Sequence, residues 1–117
     1  MIENGVKAKS LVFAKRIVLA YRYLCDEKKE YVLSKQLLRC GTSIGANIAE
    51  AQRGQSTADF AAKMTISLKE ANETQYWLRL LFRTNYISEK EYNSLNADLD
   101  EILSLLTAIC KTVTNCG

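Results

Sequence analysis

The 117-residue sequence contains no histidine and no proline, one tryptophan and five glycines. Without histidine the chain builds no Ser-His-Asp triad, no imidazole-activated cysteine, no histidine zinc site and none of the Glu-x-x-His motifs that hold di-iron in many four-helix bundles. Without proline, long uninterrupted helices are permitted throughout. Long apolar runs are missing too: Lys, Arg or Glu breaks each one well short of the roughly 20 residues a bilayer needs. Met1-Ile2-Glu3-Asn4-Gly5 lacks the charged-then-apolar layout of a secretion signal. A cytoplasmic protein that touches no membrane is expected.

Cysteine is present but without pattern. Cys25, Cys40, Cys110 and Cys116 form no C-x-x-C pair and no metal-ligand spacing, and three of them fall on apolar helical faces. They read as small buried hydrophobes. No phosphate-cradling loop is present, because Arg53-Gly54-Gln55-Ser56 is too short and glycine-poor for one.

What is there is helix. The 48% hydrophobic and 25% charged content belongs to an ordinary globular chain rather than a disordered one, and the length suits one domain spanning residues 1–117. Four stretches carry apolar residues at helical spacing. In the last, Tyr92, Leu95, Leu99, Ile102, Leu106, Ile109 and Val113 recur at steps of three and four, behind a Ser88/Glu91 capping box that predicts a start near Glu89. The third aligns Phe60, Met64, Ser67, Ala71, Thr74, Leu78 and Leu81, flanked by Ala61, Leu68 and Phe82; Ser56 is its N-cap and Asn85 its stop.

The first helix, from about Val6 to Lys28, rests on Ala14, Ile17, Val18, Tyr21, Leu24 and Cys25, and ends in the charged run from Asp26 to Glu30, read as a solvated turn. The second, from about Ser34 to Gln55, uses Leu37, Leu38, Gly41, Ile44, Gly45, Ile48 and Ala49. Each internal glycine costs about 1 kcal/mol relative to alanine, so close helix contact or a kink must compensate. Short links make neighbours antiparallel, and an all-α, up-down-up-down four-helix bundle follows.

Leu37-Leu38-Arg39-Cys40-Gly41-Thr42-Ser43-Ile44-Gly45-Ala46-Asn47-Ile48-Ala49-Glu50-Ala51 resembles the Q-L-R-R-A-x-x-S-I-P-A-N-I-A-E-G signature of a bacterial family. Those four-helix bundle proteins were first noted as products of intervening sequences in large-subunit ribosomal RNA genes. Gly45 stands where proline is usual and Ala51 where glycine is usual. The resemblance continues through Ser67-Leu68-Lys69-Glu70, Glu73, Tyr76, Leu78 and Tyr86-Ile87. It implies a left-handed bundle in a ring-like homopentamer. It also implies kinship with the accessory variability protein of diversity-generating retroelements, which binds nucleic acid and a reverse transcriptase.

Three residue sets carry candidate function. Asn47 and Glu50 on the second helix, with Arg53 one turn on, face Glu70 and Glu73 on the third. Because unsatisfied buried polar groups cost about 1 to 3 kcal/mol, Asn47 and Glu50 are expected to bond Glu70, Glu73 or Arg39 as a clasp fixing register. A ligand or nucleic-acid contact, or a carboxylate metal site poorly suited to transition metals, are the alternatives. No cofactor or metal is expected.

Charge is modest at +3 but uneven. Lys7, Lys9, Lys15, Arg16 and Arg22 oppose Glu3 alone near the start, whereas Glu89, Glu91, Asp98, Asp100 and Glu101 outnumber Lys90 and Lys111 at the end. Lys7, Lys9, Lys15, Arg16, Arg22, Arg39 and Arg53 are the expected phosphate contacts, against a plain solvated face. Val12, Leu19, Tyr23, Ile66, Trp77 and Leu80 lie off the core stripes and suit self-association, unless a wide core absorbs them. The leading expectation is a non-enzymatic homo-oligomer that binds structured RNA or DNA; the other is a module that recruits a protein without nucleic acid.

Overall fold

The structure, a computed structural model, describes residues 2–115, with side chains from 5 to 113. Glu3's side chain and Cys116 lie outside these. Four helices make up the described residues: α1 (Ile2–Asp26), α2 (Leu33–Ala51), α3 (Thr57–Arg83) and α4 (Glu89–Asn115). No strand occurs among the described residues. Each helix packs on the next and α1 packs on α4, while α1 and α3, like α2 and α4, stand diagonally, with no close backbone approach among the described residues. The 46 × 21 × 19 Å envelope is one helix long and two helices wide.

Local chemistry sets most boundaries. At α4, Ser88 N–H donates to Glu91 Oε1 at 2.7 Å and Glu91 N–H donates back to Ser88 Oγ at 3.1 Å. At α3, Asp59 N–H donates to Ser56 Oγ at 3.1 Å. Asn85 closes α3 in the left-handed region at φ 68, where its N–H reaches Phe82 O at 3.0 Å and Tyr86 N–H reaches Leu81 O at 2.9 Å. That pattern satisfies carbonyls which a helix end otherwise leaves bare.

The start of α2 corrects the reading of the charged run as a solvated turn at its last residue, Glu30, while Asp26, Glu27, Lys28 and Lys29 are exposed as expected. Lys29 takes φ 54, and Glu30 turns inward to 8% exposure. Its Oε2 accepts from Val32 N–H at 3.1 Å and Leu33 N–H at 3.0 Å, and its Oε1 accepts from Ser34 N–H at 2.7 Å. Burial alone would raise this carboxyl, but the Leu33, Ser34 and Val32 amides outweigh it and hold the pKa below the usual carboxylate value. The far end of α2 also differs, since the helix stops at Ala51 rather than near Gln55.

The core draws Leu37, Ile44 and Ile48 from α2, Met64, Leu78 and Leu81 from α3, and Leu99, Ile102 and Leu106 from α4. On α1 the expected stripe is rotated. Val6, Phe13, Ile17 and Leu24 are buried, whereas Ala14, Val18, Tyr21 and Cys25 flank the core half-buried. Close helix contact is found at both α2 glycines: a Cβ at Gly41 would stand 2.9 Å from Ile17 Cγ1 and Cγ2, and one at Gly45 would stand 3.1 Å from Ser10 Oγ. On the other side of α2, Ser67 Oγ donates to Ile44 O at 2.8 Å. No buried side-chain nitrogen or oxygen among the described residues lacks a hydrogen-bond partner.

Candidate nucleic-acid interface

Packing α1 against α4 joins the cationic start of the chain to its anionic end. Lys9 Nζ lies 2.8 Å from Glu101 Oε1. Arg16 Nη1 lies 2.6 Å from Asp98 Oδ2, and the same guanidinium donates to Ser94 O at 3.2 Å and Ser94 Oγ at 2.8 Å. Two of the five cations near the start of the chain, Lys9 and Arg16, are therefore paired within the chain itself. Such surface pairs contribute about 0 to 1 kcal/mol each, so they weaken Lys9 and Arg16 as phosphate ligands without removing them. Lys7, Lys15 and Arg22 are exposed on α1, and Arg53 is exposed after α2. None of these four has an ion-pair partner among the described residues.

The seam between α1 and α4 is grooved. One hollow of about 830 Å³ is lined by Arg16, Leu19, Tyr23, Ile87, Lys90 and Leu95, among others. A smaller one of about 280 Å³ is lined by Ala8, Lys9, Val12, Asp98, Glu101 and Ile102. Beside them, Val12 and Leu19 are 60% and 53% exposed, and Leu11, which the sequence reading passed over, is 72% exposed. Ile66 is also exposed. Tyr23, Trp77 and Leu80 are half-buried, and the first two of these pack against the core.

The polar set between α2 and α3 divides. Arg39 spans the two helices, pairing with Glu70 at 3.4 Å and more closely with Glu73. Trp77 Nε1 donates to the same Glu73 oxygen at 3.3 Å. Burial works against the Arg39 charge, but the Glu73 and Glu70 carboxylates more than offset it and raise its pKa further. Asn47 and Glu50 stay out of this arrangement, contrary to expectation. The short Asn47 side chain donates to Ser43 O of its own helix at 2.8 Å, and Glu50 pairs with Lys63 at 2.9 Å.

Burial pushes the Cys40 and Cys110 thiols up, away from the nucleophilic thiolate. No group of three or more Cys, Asp or Glu among the described residues is placed to hold a metal ion, and no helix among them is long and apolar enough to cross a membrane.

The sequence reading also missed the outer face of α3. Lys69, Asn72, Tyr76, Arg79 and Arg83 are all exposed there. Their alternating spacing of three and four was the available signal.

Comparison with known proteins gives the family. A crystal structure of a protein with unknown function from the S23 ribosomal protein family of Bacteroides thetaiotaomicron VPI-5482 superposes with a TM-score of 0.93 at 59% identity. The match covers 95% of this chain and 99% of that one. No match was found among curated proteins. The family model described as 23S rRNA-intervening sequence protein matches residues 3–108, and the chain belongs to that family.

Proposed function

We propose that the chain is a non-enzymatic scaffold, a left-handed up-down-up-down bundle that assembles into a ring-like homopentamer and binds structured nucleic acid on its cationic surfaces. The observation that carries the reading is the solvent face of α1. Leu11, Val12 and Leu19 stand in water there beside Lys7, Lys15 and Arg22, which have no ion-pair partner among the described residues. Exposed apolar surface of this kind serves association, and repeating unpaired cations around a ring multiplies the field felt by a phosphate backbone. The short connections and the pairing of each helix with the next support the up-down path.

The test combines light scattering on the purified protein with binding of a structured RNA across a salt series. A pentamer whose RNA affinity falls steeply with salt is expected, as is loss of that binding in Lys7→Glu/Lys15→Glu/Arg22→Glu with helicity intact. A monomer at tens of micromolar sinks the ring, and salt-insensitive binding sinks the phosphate contacts.

The same apolar stripe favours a second reading, a module that docks another protein, such as a reverse transcriptase, without touching nucleic acid. Protein capture that survives the triple substitution but is lost in Val12→Asp/Leu19→Asp would select it.

A further inference from the structure

On α3, Lys69, Asn72, Tyr76, Arg79 and Arg83 form one line on the face opposite the buried Met64, Ala71 and Leu78. At ~1.5 Å of rise per residue the line is about 21 Å long. Lys69, Arg79 and Arg83 have no ion-pair partner among the described residues. The three carboxylates of α3 itself pair elsewhere or lie at its far end. Glu70 and Glu73 are held by Arg39 from α2, and Asp59 lies in the first turn of α3.

In the middle of this cationic line stands Tyr76, 59% exposed. Its ring meets Trp77 edge-on, with centroids 5.0 Å apart at 79°, which restrains a side chain that the core does not use. Unopposed cations flanking an exposed aromatic ring match a polynucleotide strand: phosphates settle against the cations, a base stacks on the ring, and an amide such as Asn72 reaches a base edge or sugar. A duplex has no unstacked base to offer Tyr76. An acidic peptide has the charge but no base.

We infer that the outer line of α3, Lys69, Asn72, Tyr76, Arg79 and Arg83, is a track for single-stranded nucleic acid. It takes only the class of ligand from the preceding reading, which rests on a different helix, and α1 and α3 are diagonal in the fold.

Fluorescence anisotropy of a labelled oligouridine, titrated with the full chain over a salt series, tests the inference. Each of Lys69→Gln, Arg79→Gln and Arg83→Gln lowers the slope of log affinity against log salt by about 0.7. Tyr76→Ala weakens binding about 5- to 100-fold with the slope unchanged, whereas Tyr76→Phe retains affinity. Circular dichroism shows unchanged helicity in every variant, because all these side chains face solvent.

Equal affinity in Tyr76→Ala and wild type would overturn the track. So would a poly-glutamate peptide that competes as well as oligouridine. If the α3 variants bind normally and Lys7→Glu/Lys15→Glu/Arg22→Glu does not, the track fails while the α1 reading stands. If the wild type binds neither single-stranded nor structured RNA, both fail.

Discussion

Ile17 of α1 sits directly on the α carbon of Gly41: a single added methyl at Gly41 would lie 2.9 Å from both Cγ1 and Cγ2 of the isoleucine. Both branches are attached to Cβ, so the side chain cannot swing one aside without driving the other into a neighbour. The resulting crowding costs about 1 to 3 kcal/mol, more than the ~1 kcal/mol that alanine gains over glycine in a helix. Gly41→Ala therefore destabilises. Gly45→Ala meets Ser10 Oγ at 3.1 Å, with Ser10 Cβ and backbone O at ordinary contact distance, and costs less than Gly41→Ala. Urea denaturation of the two variants decides this, and equal losses at both positions would refute the distinction.

Removing the Glu30 carboxylate should cost about 1 kcal/mol near neutral pH, the usual cost of losing a helix N-cap. The pH dependence follows from the lowered folded-state pKa. The stabilisation is complete above the unfolded carboxyl value of about 4.3 and is lost as pH falls through the lower folded value. Glu30→Gln should thus be less stable than wild type at pH 7, and the gap should close in acid. A gap that stays constant from pH 7 into the acid range would show that the carboxylate is not the cap.

In a Cys25→Ser/Cys116→Ser background, the remaining thiols are Cys40 and Cys110. Both are buried, with pKa values raised by that burial. Labelling by an aromatic disulfide reagent should be slow in the native protein and complete on unfolding. Rapid native labelling would show that the core opens around these residues.

Much of this molecule was legible because it is written locally. The Ser88/Glu91 box, the Ser56 cap and the Asn85 stop each depend on residues within one turn, and all three form. The apolar line of α4 has one greasy side and so one way to face. On α1, by contrast, Leu11, Val12, Val18 and Leu19 spread apolar residues round the cylinder, and periodicity alone could not choose Phe13 over Ala14. Glu30 escaped notice because its capping role exists only once Lys29 adopts its left-handed turn.

The candidate site was harder for the same reason. Lys9 and Arg16 looked free until α1 lay beside α4, which places Glu101 and Asp98 against them. Part of the polarity between the two ends of the sequence is thus an internal attraction, while Lys7, Lys15 and Arg22 stay clear of it. Between α2 and α3, shared helical faces identified Glu70 and Glu73 but not their partner's uniqueness. Arg39 is the residue of α2 that reaches both of them, while Glu50 pairs with Lys63 and Asn47 finds a carbonyl one turn back.

Trp77, the sole tryptophan of the sequence, touches Tyr76 on one side and hydrogen-bonds Glu73 on the other. Its indole therefore lies between the stacking ring of α3 and the ionic bridge from α2, and senses the local field of both. This gives the protein an unlabelled optical gauge. The emission of that one fluorophore should respond both to a ligand that settles on Tyr76 and to a break in the bridge behind it.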